Sequence, residues 1–439
     1  MQRRGVLMGG LAGFLAPGLG AWAQSAARPG PEGVLKSWYR LVLELVRHTA
    51  TYSPPVAARA FAYLGATAYE VLTKAPAPAR PTLAGQMPHF GFGPATTRNP
   101  DLALMLHEAM AEAVAKFFGN TGPSGQGAMA QMAAALRPAL ESGLDAETRA
   151  ASRDMGQEAA GRIWLWSQED GGATVENLGF PPSYTPADDP AAWRPTSTIS
   201  LQQAPLLPDW GKVRPFMLSA GDLCGLPPPP AYSEAPDSPF YREAREVYDV
   251  TQALTDEQKA IARFWSDDPM LSPTPPGHWI SIALQIAEER GEDAFQLSQT
   301  LVLLGMAMAD AFIACWDAKY RFNLLRPVTY IQRHIDPAWQ PLLQTPPFPE
   351  YPSGHSVQSG AAAAVMTHLY GENFAFTDAT HAGDGLPPRA FPSFWAAAEE
   401  AAISRLYGGI HFRSAIDLGL EMGRCIGAQV LRLKTGPRA

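Results

Sequence analysis

Apolar residues recur every three or four positions along most of this chain, the period of a helix with one buried face. The segment "PPVAARAFAYLGATAYEVL" (54–72) sets alanines and aromatics at that spacing. The same period covers roughly 36–50, 101–118, 125–141 and 145–168, then 240–266, 278–289, 292–318, 355–370, 394–407 and 413–434. No run alternates apolar and polar residues as a half-buried strand does. The pattern predicts an all-α protein.

Between the two sets of helical segments the composition changes. Residues 169–239 are rich in proline and glycine and include "PPPPAYSEAP". That is too long for an ordinary connection, yet "WRPTSTISLQQAPLLPDWGKVRPF" carries several large apolar residues. An irregular crossover packed on the surface is expected, joining two helical bundles over 24–168 and 240–439. The first residues, "MQRRGVLMGGLAGFLAPGLGAWAQ", put two arginines ahead of an apolar stretch and small residues at Ala21 and Ala23. Glycines and Pro17 break that stretch, so it reads as a secretory signal peptide over 1–23 and not as an anchor. "RRGVL" is similar to a twin-arginine signal with Val6 in place of phenylalanine. An exported protein, periplasmic or secreted, is expected.

Composition narrows the partners. The 439 residues are 46% hydrophobic with a formal charge of −8, enough for a large core or two packed ones. There is no basic run, so nucleic acid is not an expected partner. No mature segment offers about 20 uninterrupted apolar residues, so no membrane span is expected. Monomer and homodimer are both compatible with this surface. Cys224, Cys315 and Cys425 form no CxxC pair, so neither a zinc site nor a redox motif is indicated. Export would permit one bridge; buried apolar thiols are the expectation.

Three segments carry candidate chemistry. In "DAKYRFNLLRPVTY", Lys319 and Arg326 are seven apart, which on a helix puts both on one face. Pro327 disfavours helix at Arg326, so the helix is expected to end there, where cations also suit the dipole. In "PSGHS", Ser353 and Gly354 precede an apolar helical run. They read either as a serine cap or as the amide-rich anion site of a helix N-terminus, with His355 just inside. In "ISRLYGGIHFRSAID", Gly408 and Gly409 break a helix after Arg405 and set His411 on the following loop. Each segment alone reads as well as ordinary helix-end chemistry. Together, three cations, a hydroxyl, a free amide and two histidines are the residue types that surround a tetrahedral or five-coordinate oxyanion.

These blocks, K-x6-RP, PSGH and SR-x5-H, resemble the signature of the type 2 phosphatidic acid phosphatase superfamily. Their surroundings, "WDAKYRFNLLRPVTYIQ", "LLQTPPFPEYPSGHSVQSGAA", "TPPGHW" and "SRLYGGIHFRS", resemble its vanadium-dependent haloperoxidase branch, and a weaker likeness reaches "PPVAARAFAYLGATAYE". The resemblance implies a double helical bundle holding orthovanadate. It implies that His411 is the axial ligand of vanadium. Lys319, Arg326, Arg405, the Ser353 hydroxyl and the Gly354 amide would hold the equatorial oxygens, with His355 as the acid–base group. The implied substrates are hydrogen peroxide, a halide and an organic acceptor. Because phosphate has the shape of vanadate, the same pocket suits an acid phosphatase in which His411 attacks phosphorus and His355 protonates the leaving alcohol. A non-catalytic helical protein with a vestigial oxyanion site is the third reading.

One departure bears on all three. The family has an aspartate four residues after the second histidine, where it orients that ring. This chain has Ala415 there, and Asp417 would face away on a helix. Ser414, a backbone carbonyl or a distant carboxylate is expected to replace it. Ser356 serves either enzyme reading, and His278 and Trp279 are placed at the site mouth or in the core.

Overall fold

A computed structural model describes residues 28–75, 80–87, 90, 99–181, 184–197, 203–219 and 224–436; the expected signal peptide lies outside the described residues. Five helices form the N-terminal set: α1 (Pro31–Arg47), α2 (Pro54–Leu72), α3 (Leu102–Phe117), α4 (Pro123–Glu141) and α5 (Ala146–Gln168). The remaining long helices are α6 (Pro239–Gln252), α7 (Asp256–Phe264), α8 (Thr274–Glu289), α9 (Ala294–Phe322), α10 (Pro327–His334), α11 (Gly354–Tyr370), α12 (Phe394–Tyr407) and α13 (Arg413–Val430). The chain is thus mainly α, as the apolar period requires.

Caps explain where the boundaries moved. The expected helix over 240–266 is two, because Thr255 and Gln258 form a capping box that starts α7 afresh, satisfying amide groups a continuous helix would not leave free. Asp293 and Gln296 do the same for α9. Asn323 ends α9 in the left-handed conformation (φ 46°), which asparagine tolerates better than most residues.

Helix α9 is the axis of the molecule. It is long and apolar enough to cross a membrane by composition, but 94% of its most apolar window is buried inside the protein. Helix α2 lies against it backbone to backbone. A Cβ on Gly65 would sit 2.8 Å from the Leu301 carbonyl, and one on Gly305 would sit 2.9 Å from Ala62 Cα. One apolar cluster therefore runs from Val34 through α9 to Leu433. The crossover is pinned to the same helix. Buried Asp310 accepts from the amides of Phe216, Met217 and Leu218 at 2.6, 2.9 and 3.2 Å, and Trp316 and Tyr320 donate to the Leu206 carbonyl.

Helices α11 and α13 pack equally closely, through Gly360, Gly423 and Gly427. Two features were not expected. Strands β1 (Phe376–Asp378) and β2 (Arg389–Phe391) form an antiparallel hairpin with Phe376 opposite Phe391; three residues are too few to display alternation. The reading of three apolar thiols is also corrected. Cys224 of the crossover and Cys425 of α13 form a disulfide, leaving Cys315 buried and free. Their separation of 201 residues explains why sequence spacing gave no hint of it.

Candidate active site

The three blocks meet at one place. Lys319 occupies the last turn of α9, fully buried. Its ammonium donates to the carbonyls of Pro349, Glu350 and Pro352 at 2.8, 2.9 and 2.5 Å. With three donors so engaged, it offers the pocket charge.

Arg326 arrives by a different route from the one its spacing suggests. Helix α9 stops at Phe322, and Leu324 bridges to Ala192 in an extended stretch. Arg326 itself is extended (φ −79°, ψ 154°) at the start of α10. The seven-residue helical face is therefore corrected: a chain turn, not helical period, aims Arg326 at the site. Its Nε donates to the Phe348 carbonyl at 2.9 Å and its Nη1 to the Ile410 carbonyl at 2.8 Å. Nη1 also lies 3.1 Å from His411 Nε2, while Nη2 is buried without a partner.

Ser353 caps α11, its hydroxyl oxygen accepting from the Ser356 amide at 3.3 Å. The hydroxyl proton is left to donate elsewhere. Gly354 is the first residue of that helix, where amides lack an intrahelical acceptor. His355 follows, partly exposed, with Nε2 unpartnered and 3.8 Å from Asp267 Oδ2. Arg405 ends α12, where it donates from Nη2 to the Trp265 carbonyl at 2.5 Å. Gly409 then turns the chain with φ 76°, a conformation that favours glycine. This turn brings His411 inward, 3% exposed.

Glu350 is the residue that sequence reasoning missed. Its Oε1 lies 2.8 Å from His411 Nδ1 and accepts from the Phe412 amide at 2.8 Å. Ser414 does not serve, because its hydroxyl donates to Glu243 at 2.8 Å. The signal was in plain view: an acid between prolines in "PPFPEYPSGH", where the surrounding apolar run gives it no solvent.

The electrostatics are those of cations deprived of water. Burial lowers the Lys319 pKa to about 7, only partly offset by nearby Cys315 and Glu350. Burial lowers Arg326 and Arg405 to about 10 each. His411 is held well below the ordinary range by burial and then by Arg326, Lys319, Arg405 and His355, so all these groups bear on one point. Glu350 is raised to about 8 by burial, against the pull of Arg326 and Lys319. A pocket with this charge balance favours a bound anion.

A second layer backs His355. Buried His278 lies between Asp267, 3.0 Å from Nδ1, and Asp378, 2.7 Å from Nε2. His381 lies 3.2 Å from the same Asp267 and 3.0 Å from Asp384. His278 thus sits in the core, stacked on Trp265 at 4.4 Å. Trp279 is also buried and donates to the Ser359 hydroxyl. Burial opposes charge on His278, but the two carboxylates outweigh it and raise its pKa to about 10, while Asp267 and Asp378 are lowered. The sign of the linkage follows. The stabilisation is complete below the ordinary histidine value of 6.5 and is lost as pH rises through about 10. Between pH 7 and pH 10 this contribution to the Tm is lost while the lowered Lys319 acts in the opposite direction, so comparison with a variant isolates it. His278→Gln should start lower and lose less over that interval; equal slopes in thermal denaturation would refute the assignment.

Known proteins are similar to this chain in sequence and fold. A family model described as the VCPO second helical-bundle domain matches residues 299–436. Vanadium chloroperoxidase of Curvularia inaequalis is 26% identical over an alignment of 275 residues, with 47% of this chain and 45% of that protein covered. The match thus spans about half the length of that curated relative. A solved bacterial vanadium-dependent iodoperoxidase is similar with a TM-score of 0.82 and 39% identity, over 91% of this chain and 95% of the other. A holo-type bacterial vanadium-dependent chloroperoxidase shares the fold at a TM-score of 0.68 and 17% identity, over 92% and 96% of the two chains.

Proposed function

The chain belongs to the vanadium-dependent haloperoxidases, and from that premise we propose that it uses bound vanadate to oxidise a halide with hydrogen peroxide. One halide ion, one peroxide and one proton give one hypohalous acid and one water. The halide loses two electrons and the peroxide gains them. An organic acceptor would then take the halogen.

The observation that carries this reading is the donor set. Arg326 Nη2 and His355 Nε2 are polar atoms without hydrogen-bond partners. The Ser353 hydroxyl proton and the amides at the start of α11 add neutral donors. Such a set fits a four-oxygen anion. His411 Nε2 faces the same pocket beside Arg326 Nη1, which suits a nitrogen ligand to the central atom. When bound, vanadate supplies an electrophilic centre that activates peroxide toward a nucleophile without changing oxidation state.

The residues of the chain do the rest. Lys319, Arg326 and Arg405 neutralise the anion from fixed positions, held by carbonyls of Pro349, Glu350, Pro352, Phe348, Ile410 and Trp265. Fixed donors need no rearrangement as charge moves. His355 is the group able to hold and pass the proton the reaction consumes. Burial and Arg405 keep its pKa well below the ordinary value, while Asp267 opposes them. The ring is therefore neutral at rest, and the Asp267 carboxylate, 3.8 Å away, is the group that favours its protonated form.

The test is to load the purified protein with vanadate and follow iodide, bromide and chloride oxidation by peroxide, with phosphate-ester hydrolysis alongside. Iodide is the first choice, given the likeness to an iodoperoxidase. Halide oxidation that requires vanadate and is suppressed by phosphate is expected. Hydrolysis alone, blocked by vanadate, would favour the acid phosphatase reading instead. We further propose export to the periplasm or beyond. The Cys224–Cys425 disulfide supports it, since such bonds persist in oxidising compartments; activity confined to the cytosolic fraction would count against it.

A further inference from the structure

We propose that Glu350 is the positioning residue for His411. It supplies, from the stretch just ahead of the second signature block, the carboxyl group that is missing four residues after that histidine, where the chain has Ala415. The role of His411 rests on the haloperoxidase reading, but the geometry that fixes its ring does not.

The proton positions follow from which groups can only donate. A guanidinium has no acceptor, so Arg326 Nη1, 3.1 Å from His411 Nε2, must meet a lone pair on that nitrogen. The ring proton is therefore on Nδ1, where Glu350 Oε1 accepts it at 2.8 Å. The Phe412 amide also only donates and points at the same oxygen, at 2.8 Å. One carboxylate oxygen thus sets the ring tautomer and the backbone that carries the ring. The opposite nitrogen carries the lone pair, which Arg326 Nη1 meets in this structure.

Among the described residues, the neighbours on the third block do not offer the same service. Ala415 is buried, and its carbonyl accepts from the Ser353 amide at 3.0 Å. Ser414 is engaged by Glu243. Glu350 itself is immobilised: it is fully buried, its amide donates to the Leu324 carbonyl at 2.9 Å, and its own carbonyl accepts from Lys319 at 2.9 Å. The side chain that orients His411 is therefore tied through its backbone to the lysine of the first block. The first and third blocks thus meet at this residue, which stands just ahead of the second.

The test uses the intact protein and two readouts besides turnover. Imidazole 15N shifts of vanadate-free protein, with His411 identified by its loss in His411→Gln, report the tautomer. Vanadium retained after desalting reports affinity. We expect Nδ1–H in the wild type and in Glu350→Gln, whose amide oxygen still accepts. Glu350→Ala should admit the other tautomer and weaken vanadate binding by about 10–100-fold. In Glu350→Ala combined with Ala415→Asp, part of that affinity should return. An Nε2–H ring in the wild type would overturn the proposal. So would a folded Glu350→Ala that retains vanadium and tautomer like the wild type. If the wild type binds no vanadate, the haloperoxidase reading fails, while the tautomer measurement still decides the role of Glu350.

Discussion

Replacing His411 by alanine should abolish vanadate-dependent halide oxidation, by about 10³-fold or more, while the protein remains folded. With its ring proton on Nδ1, the side chain carries on Nε2 a lone pair that now accepts from Arg326 Nη1 and that could serve the anion's central atom instead. Three buried cations can still attract vanadate electrostatically, but no nitrogen remains to fix its central atom. Removing a single donor from a preorganised oxyanion site already costs about 10²–10³-fold in rate. The loss here is larger because binding and orientation fail together. Structural damage should be limited. Arg326 keeps its bonds to the Phe348 and Ile410 carbonyls, and the Phe412 amide keeps Glu350. Steady-state halide oxidation at saturating vanadate, beside thermal denaturation, is the measurement. A well-folded variant retaining more than about a tenth of the rate would remove His411 from its assigned role.

Gly423→Ala should unfold the site from behind. The added Cβ would sit 2.2 Å from the Val357 carbonyl, 2.8 Å from the Ala361 amide and 2.9 Å from Gly360 Cα. These are backbone atoms of α11, which cannot turn aside as a flexible side chain would. Helices α11 and α13 must separate, and overpacking of this kind costs about 1–3 kcal/mol, occasionally more. Ser353 and His355 stand at the start of α11, and His411 leads into α13. Separation therefore displaces both sides of the pocket. A Tm lower by several degrees and a matching loss of activity are expected. Gly127 provides the contrast: it lies within α4, and a Cβ there meets nothing within 4 Å. Gly127→Ala should leave activity unchanged and add about 0.5–1 kcal/mol. Equal thermal stability in the two variants would contradict this account of the helix contact.

Much of the architecture was legible because helical period is local. The apolar spacing of 54–72 and 355–370 gave α2 and nearly all of α11, and the residues of the three blocks do face one pocket. What escaped depended on contacts between distant segments. Glu350 and His411 are 61 residues apart, and His278 and Asp378 are 100 apart. Neither pairing has a spacing rule. Lys319 and Arg326 show the opposite error, a correct convergence assigned to the wrong cause. The helix between them ends at Phe322 because Asn323 turns left-handed, and no periodicity reveals such a stop. The disulfide was missed for the same reason: its two halves become neighbours only after the crossover has folded onto α13.

The backbone contact between Gly65 and the Leu301–Val302 stretch bears on how the molecule can be dissected. All the signature residues lie within 319–411, which invites expression of that half by itself. Yet α9, which carries Lys319 in its last turn, is covered along one flank by α2 and anchored at Asp310 by the crossover. A fragment lacking residues 28–168 would expose the apolar surface around Gly305 to water and leave Lys319 on a helix without its neighbour. Catalytic chemistry is thus encoded in one half of the chain, while its scaffold is encoded in both, and the shortest active fragment should begin ahead of α1.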